Sequence, residues 1–495
     1  MKRGSRLERA LRHILALGGF LAMLAGGGLT CAAQDASATS QTRGAGIFAA
    51  GLWADAAPLL ELTNQAAEID GYTPDSDDLA RYFARPSVLS GGFSLAAGPF
   101  RAAMVLEFQQ DFGEMLKGGA LTNFLLSRDG SSFMFSNNYP NVGFIEGSGG
   151  WWRLSLGRRA INIGRGLASL SVSGENPRYD HLTAGLSAPL GGGSLGYDFL
   201  AISVPRTSTV DGKSLFFHRV GLDFSRFSLG FAEYNLVTGV ALDFQDIGPF
   251  LVYHHLFADG SNVMLHLDGE WRPVSFLRFY GEALMDDFQL SGESSGSNPN
   301  AFGFSAGLQW KIADGVRMER PRYFREDYRL EMVGKSLDGG LVATLDAYWA
   351  STYLYRRSDT APNQAYSTLY FMQSDSLWAE VPSWFAYPLG PDRILIRGDL
   401  KYSLAGLSVS GKGTLAILGD QSGESTYTLG STSGDWLGPQ APVTLGWDAS
   451  LRAEIVLGKR SLGTASAAFS KMGTDSPIFS MTFGYVHRFG YGLTP

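Results

Sequence analysis

The sequence predicts an all-β protein, a transmembrane antiparallel β-barrel of about 18 strands with a small N-terminal helical element. Residues 262–286 alternate polar and apolar side chains on both sides of a bend at Pro273, which indicates a long hairpin. Residues 479–491 alternate mostly aromatic with small residues, as the closing strand of an outer-membrane barrel does. Together with an N-terminal export signal, these patterns favour a membrane barrel over a soluble β-sandwich.

The composition supports β structure. The chain contains 63 glycines and 13% aromatic residues, which is typical of strands joined by many turns. Beyond the N-terminus, no stretch approaches the ~20 consecutive apolar residues that a membrane-spanning helix needs.

Residues 1–33 have the pattern of a signal peptide. A basic head precedes the apolar segment 14–29 and the small residues at 30–33, and cleavage is expected after Ala33. Cleavage changes the formal charge from −7 to about −11, and so acidic an exported chain is a poor nucleic-acid binder. Cys31 is the only cysteine in the sequence, so no disulfide framework can form, and its lipidation remains an alternative.

Residues 34–90 are predicted to form a leader with a short helical element in the periplasm or as a plug, and residues 91–495 the barrel. Helical periodicity at 58–69 and a capping signal at Asp75 that starts a helix to Phe83 indicate two short helices. An irregular lead-in is the alternative.

The lengths of the connections predict the orientation in the outer membrane of a diderm cell. Short turns are expected at the periplasmic end and long connections at the outer end. The turns are 272–275, 403–406 and 458–462, and the long connections are 371–392 and 419–445. About seven strands are expected before residue 262 and about eleven after it. Two segments depart from the rule, a long inner connection at 313–327 and a tight outer one at 337–340.

Several segments between about 150 and 400, in sequence order, resemble the Wzi-like capsule assembly proteins. They are Gly157 with Arg158, 163–166, 173–177, His218 with Arg219, Glu233, Asn262, 271–273, 280–282, 286–288 and 388–392. At Ile163 and Arg165 the family usually has Trp and Pro. The resemblance implies an outer-membrane barrel that acts as a surface lectin for capsular polysaccharide, and it makes candidate ligand contacts of His218, Arg219, Glu233, Glu282 and Asp286.

The polar face of the central hairpin carries charge at most positions. The bend is expected to place Glu270 opposite Arg278, Asp268 opposite Tyr280, and His266 opposite Glu282. Asp268, Glu270 and Glu282 either contact a polar ligand or form ion pairs that stiffen the wall.

Four arginines, Arg158, Arg159, Arg165 and Arg178, lie within 21 residues of one another in the sequence. Beside Glu175 and Asn176, they could clasp acidic groups of a polysaccharide. The alternative is that they pair with lumen carboxylates such as Glu233 and Asp286. Aromatic residues of the long connections, among them Trp384 and Trp436, suit either sugar rings or a membrane-interface girdle.

Patterns for catalysis and cofactors are weak. His254 and His255 are adjacent, so a strand would point them to opposite faces. Neither a nucleophile elbow nor a paired-carboxylate signature stands out, and 164–166 is too short for a phosphate loop. We therefore expect a non-enzymatic protein without cofactor or metal.

Two functions remain open: a binder that helps assemble or anchor surface polysaccharide, and a porin-like diffusion channel for small polar solutes. The expected partners are surface polysaccharide, outer-membrane lipid and the barrel insertion machinery. A filled or open lumen distinguishes the two functions. In a lectin, the helices and residues 164–177 would fill the barrel, whereas a channel has a continuous water-filled pore.

Overall fold

The computed structural model describes residues 48–64, 73–116, 123–125, 135–136, 141–176, 178–204, 211–239, 261–287, 299–315, 328–334, 336–373, 378–423, 426–428 and 436–492. The predicted signal peptide, Cys31 and the first part of the leader lie outside these ranges. So do residues 65–69 of the first predicted helix.

The described residues are mostly strands. The strands are β1 (Phe48–Ala56), β2 (Leu59–Thr63), β3 (Leu89–Ala97), β4 (Phe100–Gln110), β5 (Phe135–Ser136), β6 (Val142–Ser148), β7 (Trp152–Arg159), β8 (Ile161–Asn162), β9 (Tyr179–Leu190), β10 (Gly193–Val204), β11 (Lys213–Asp223), β12 (Phe227–Thr238), β13 (Ser261–Val274), β14 (Leu277–Asp287), β15 (Ala301–Ala313), β16 (Leu330–Glu331), β17 (Gly340–Ala350), β18 (Arg357–Ser358), β19 (Ser367–Gln373), β20 (Trp378–Trp384), β21 (Arg393–Leu404), β22 (Leu407–Leu418), β23 (Thr426–Tyr427), β24 (Thr444–Gly458), β25 (Ser461–Met472) and β26 (Ile478–Gly492). The helices are α1 (Ser76–Ala84) and α2 (Phe112–Leu116), with a 3-10 turn at Pro362–Gln364. Across the described ranges, no helix is long and apolar enough to span a membrane.

The wall closes into an 18-stranded antiparallel barrel, which confirms the predicted fold class and strand number. β1 and β2 act as one wall strand, because both pair with β26 in a single register, from Gly51 opposite Gly492 to Thr63 opposite Ser480. The break between them falls at Pro58, which has no N–H to donate. β1 also pairs with β3, which completes the ring.

Alternation along the strands separates a lipid-facing surface from the lumen, as predicted. In β13, Leu267 is 49% exposed on the outer surface, whereas its neighbours His266 and Asp268 are 1% and 2% exposed inside. The outer faces of β24 and β26 follow the same pattern, with Leu451 and Phe483 exposed. A continuous apolar outer band is what a barrel needs to sit in lipid.

The predicted start of the barrel at residue 91 is wrong, because β1 and β2 already belong to the wall. The predicted helix at 58–69 is wrong where it is described, since Leu59–Thr63 is a strand. Leu60 and Leu62 face lipid while Leu59 is buried, so the spacing that predicted a helix is the period of two of a strand.

The helix predicted from Asp75 is confirmed as α1, and the Asp75 side chain caps it by accepting hydrogen bonds from the Asp77 and Asp78 amides at 2.9 and 3.1 Å.

The predicted register of the central hairpin is also wrong. Asp268 lies opposite Glu282, Glu270 opposite Tyr280, and His266 opposite Leu284. β13 continues through Pro273 to Val274, with a bulge between Trp271 and Val274, so the turn is the two residues 275–276 instead of the predicted 272–275. A bulge is one of the places in a sheet where proline is tolerated.

The connections sort by length between the two ends of the barrel, which we call the turn end and the loop end. The turns of β13–β14, β21–β22 and β24–β25 lie at the turn end, and the connection 351–392 at the loop end. Nine wall strands precede β13 and nine run from it, instead of the predicted seven and eleven. Two segments do not add strands to the wall. Residues 314–339 form one connection, so β15 pairs directly with β17, and β19 and β20 pair with each other in a separate sheet.

α1 and α2 lie at the loop end. β2 ends there, so the chain that follows it must start there. Leu79 and Tyr82 of α1 pack with Phe112 of α2 and with Met372 and Val381 of β19–β20. The prediction placed this element in the periplasm or as a plug; because the longer loops of outer-membrane barrels face outwards, a position at the loop end argues against the periplasmic alternative.

Candidate functional site: a lumen filled from both ends

Two segments enter the barrel lumen from opposite ends and meet inside it. We call them together the plug, consisting of residues 160–176 from the loop end and 328–334 from the turn end. β8 of the first pairs in parallel with β16 of the second, and the Met332 amide donates to the Asn162 carbonyl oxygen at 3.0 Å. The plug therefore joins both connections in one small sheet.

The loop-end half of the lumen is a packed apolar core. Ile161, Ile163, Leu170 and Val172 of the plug are all fully buried. Their cluster includes wall residues and residues of the loop-end connection: Leu200, Phe217, Tyr234, Met264, Tyr348, Leu354, Tyr355, Tyr366 and Phe385. Burial of this kind contributes roughly 1.5–3 kcal/mol per large side chain, so the plug is a structural part of the fold.

Wall carboxylates hold the backbone of the plug. Glu282 accepts from the amides of Arg165 and Leu170, at 2.7 and 3.1 Å. Asp346 accepts from the Leu167 amide at 2.5 Å and from the Tyr280 and Tyr348 hydroxyls. A carboxylate that receives several N–H or O–H donors is well satisfied when buried.

Glycine is required where the plug approaches this part of the wall. A Cβ at Gly166 would collide with the Asp346 carboxylate and would also crowd the Tyr348 hydroxyl at 2.7 Å. The close approach that lets Asp346 reach the Leu167 amide therefore depends on Gly166.

Arg165 fixes the plug to β13. Its side chain is 2% exposed, and its guanidinium lies 2.5 Å from Asp268 Oδ1 and 3.1 Å from Glu270 Oε2. Arg278 bridges Glu270 and the Arg165 carbonyl oxygen, the latter at 2.9 Å. Asp268 also binds Arg219 at 2.7 Å. Four predicted ligand residues (Arg165, Arg219, Asp268 and Glu270) are brought together, but they bind one another.

The predicted arginine cluster does not exist as one site. Arg158 forms two hydrogen bonds to Asp180, at 2.6 and 2.7 Å, on the outer side of the wall. Arg159, the next residue of β7, is buried inside and lies 2.7 Å from Glu146. Adjacent residues on a strand point to opposite faces, and the sequence argument did not apply that rule to this pair.

His218 and Glu233 do not line the lumen either. They lie opposite each other on β11 and β12, and Glu233 also lies opposite the outward Leu265. His218 packs on Phe199, with its Nδ1 2.7 Å from the Tyr197 hydroxyl. Of the predicted pair His218 and Arg219, only Arg219 faces the lumen.

The remaining predicted residues make contacts between the plug, the wall and the loop-end connection. Asn176 donates to the Trp384 carbonyl oxygen at 2.8 Å, and Asp286 binds Arg357 at 2.8 Å. Glu175 is more open, with 34% of its side chain exposed, and it lies 2.8 Å from Arg397. Of these, Glu175 retains carboxylate surface for a ligand.

The two predicted tryptophans have different environments. Trp384 is half-buried against Tyr355, with ring centroids 6.1 Å apart. Trp436 lies by the outer rim, 5.4 Å from Phe302, and the neighbouring Leu437 accepts from the indole N–H of Trp349 at 3.0 Å. Trp436 also packs against the buried residues Ala301, Tyr353 and Tyr427, so it is a structural contact of the loop-end connection.

The plug does not cover the whole wall. On β22 and β24, the lumen-facing residues Lys412, Asp448 and Arg452 are exposed and Ser450 is half-buried, and 57% of the Arg452 side chain is accessible to water. The alternate residues of these strands, such as Leu451, face lipid. This part of the lumen is therefore polar and wet.

Below the plug, at the turn end, lies a cavity of about 670 Å³. Its charged lining residues are Arg153, Arg165, Asp198, Arg219, Asp223, Arg226, Glu270, Arg272 and Glu331. The turns that contain Gly150 and Ser225 form its rim, and Val333 and Gly334 of the plug contribute to its wall. The sequence did not predict this cavity. It also did not single out Asp346, Tyr348 and Arg397 as site residues, although their positions on the polar side of the alternation in β17 and β21 mark them as lumen-facing.

Within the described part of the chain, no group of three or more His, Cys, Asp or Glu residues is arranged to hold a metal ion. The sequence matches no family model and no curated protein.

Solved structures with a similar fold are outer-membrane proteins. Wzi of Escherichia coli, described as a carbohydrate-binding β-barrel involved in group 1 capsule assembly, has 12% identity and a TM-score of 0.46 over 86% of this chain and 83% of that chain. OpdK of Pseudomonas aeruginosa, solved with vanillate, has 9% identity and a TM-score of 0.43 over 90% and 99%. OprD of the same organism has 9% identity and a TM-score of 0.42 over 90% and 94%. These values concern the barrel fold alone, and no residue role follows from them.

Proposed function

We propose that this barrel is a non-enzymatic outer-membrane protein that binds a surface polysaccharide, capsular or exopolysaccharide, at its loop end and helps to assemble or anchor it. The observation that supports this most is the plug, because its buried core and its ion pairs with β13 turn much of the lumen into a scaffold for the loop end. The same role is implied by the resemblance of the sequence to Wzi-like proteins.

The surface that this scaffold presents suits a glycan. We call it the loop-end face, made of Glu175, Trp384, Tyr387 and Arg397. Tyr387 donates its hydroxyl to Asp77 at 2.9 Å, and burial raises the pKa of that hydroxyl well above its ordinary value, so it stays a donor. Half-buried aromatic rings beside a paired guanidinium and carboxylate offer both a flat apolar surface and hydrogen-bonding groups to a sugar.

The loop-end face is held rigidly. The Trp384 carbonyl oxygen accepts from both the Asn176 side chain and the Tyr387 amide, at 2.8 and 3.0 Å. Arg397 also contacts the Leu167 carbonyl oxygen of the plug, at 3.3 Å. A site built on a rigid support loses less conformational entropy on binding.

A matched pair of tryptophans tests the proposal. Trp384→Ala should weaken binding of the surface polysaccharide from the source cell by about tenfold or more, because aromatic anchors dominate such interfaces. Trp436→Ala, at the outer rim, should leave binding unchanged. The readout is affinity in a surface-immobilised binding assay with the detergent-solubilised protein. Equal effects of the two changes, or no binding by the unchanged protein, would contradict the proposal.

A porin-like channel is the second candidate, favoured by the exposed lumen-facing residues of β22 and β24. Arg165→Ala separates the two functions, since it leaves the buried carboxylates of Asp268 and Glu270 without their shared partner and should loosen the plug by roughly 3–5 kcal/mol. In planar bilayers, a binder should show little conductance until this change is made. A large conductance of the unchanged protein, altered in ion selectivity by Arg452→Ala, would instead support the channel.

A further inference from the structure

The turn-end cavity is a second place where the molecule can bind a ligand, separate from the loop-end face. Its volume of about 670 Å³ falls within the roughly 300–1,000 Å³ of small-molecule sites. Because short turns face the periplasm in outer-membrane barrels, its rim opens towards the inside of the cell envelope.

The charges of the lining nearly cancel. Arg153 lies 2.5 Å from Asp198, Arg219 lies 3.4 Å from the same carboxylate, and Arg272 lies 2.5 Å from Glu270. A strong anion would have to compete with these carboxylates, and a strong cation with these arginines. The lining therefore favours an uncharged ligand.

The same pairs leave hydrogen-bonding groups in the cavity. A guanidinium has five N–H donors, and the Arg153 guanidinium donates one hydrogen bond to Asp198, whereas Arg219 and Glu270 each bind several partners. Donors and acceptors therefore lie side by side, an arrangement that matches neighbouring hydroxyl groups, each of which both donates and accepts.

The lining is also shaped for close approach. Arg153 lies across Gly185, where any Cβ would collide with it, and 42% of its side chain remains exposed. Arg219 similarly lies against Gly221. The glycines therefore make room for both arginine side chains along the wall, and of the two Arg153 is the more exposed to the cavity.

We propose that the turn-end cavity binds a short uncharged oligosaccharide that reaches it from the periplasmic side. This goes beyond the loop-end binding proposed above, and the two sites can be lost independently. The polyol is identified by the balanced lining, by the interleaved donors and acceptors, and by the size of the cavity.

The test uses the full-length protein in detergent micelles and isothermal titration with three probes of equal length: maltohexaose, hexagalacturonate and a chitosan hexamer. Maltohexaose should bind most tightly. Arg153→Gln should weaken it by about tenfold, the loss of a hydrogen bond from a charged donor. Arg101→Gln is the matched control, because Arg101 is also a half-exposed arginine at the turn end, 3.4 Å from Glu146, and does not line the cavity.

Each outcome is decisive. Tighter binding of either charged probe overturns the ligand class, and binding that Arg153→Gln leaves unchanged overturns the site. If Arg153→Gln does not fold, Asp223, the exposed last residue of β11, provides the test through Asp223→Asn, with the same expectation. Trp384→Ala should leave maltohexaose binding intact, so failure at this cavity and failure at the loop-end face are distinguishable.

Discussion

The wall strands β13 and β24 show the same alternation in sequence but meet different surroundings in the lumen. Leu267 and Leu451 are 49% and 56% exposed towards lipid. Inside, the Asp268 side chain is 1% exposed against the plug, whereas that of Arg452 is 57% exposed. A polar inner face thus serves as an attachment surface on one part of the wall and as a water-lined surface on another.

The largest expected difference concerns carboxylates of the two inner faces. Glu282→Ala removes the acceptor of two buried plug amides and should lower the free energy of unfolding by about 3–5 kcal/mol. Asp448→Ala, on the wet face, should change it by less than about 1 kcal/mol. Urea titration in lipid vesicles measures both. Similar losses would mean that the wet part of the lumen is packed after all.

The outer faces should not differ. Leu267→Arg and Leu451→Arg each place a charge in lipid and should each lower barrel stability by about 2–4 kcal/mol near mid-wall. The same vesicle titration applies, with Ser450→Arg as the inward control, which should have little effect. A large cost at Ser450 together with a small one at Leu451 would reverse the assignment of the two faces of β24.

The smallest expected difference in stability is between variants of two adjacent arginines. Arg158 is paired with Asp180 on the outer side, with 33% and 46% of the two side chains exposed, so Arg158→Gln should cost less than about 1 kcal/mol. Arg159, with 3% of its side chain exposed, has a buried guanidinium over the Phe144 ring, and Arg159→Gln should cost more. The unfolding midpoints of the two variants are compared. A lower midpoint for Arg158→Gln than for Arg159→Gln would mean that Arg158 faces the lumen and Arg159 the outer side.

Much of the fold follows from the sequence because it depends on a local period of two. Alternation in β13 and β26, together with the export signal, predicted a barrel, and the alternation predicted its lipid-facing residues. Residues 59–63 were too short a stretch to distinguish that period from a helical one. The hairpin register depended on the bulge at Arg272 and Pro273, and no local pattern announces which residue is bulged.

The site was much less predictable, because its contacts join distant residues. Arg165 meets Asp268 across 103 positions, and its amide meets Glu282 across 117. The sequence identified these charged residues as notable, yet it could not show that a segment returning into the lumen would use them. For Arg158, His218 and Glu233, in contrast, strand alternation alone would have placed the side chains outside.

The pairing of β1 with β26 has a consequence for how the barrel could be rebuilt. Gly51 and Gly492 lie opposite each other at the turn end, so a short linker there could join the first wall strand to the last. New chain ends could then be opened in a loop-end connection, in the way that circular permutation succeeds at exposed loops. Such a rearranged chain would keep every pairing between wall strands. It would change which strand is synthesised last, and therefore which two strands pair last to close the barrel.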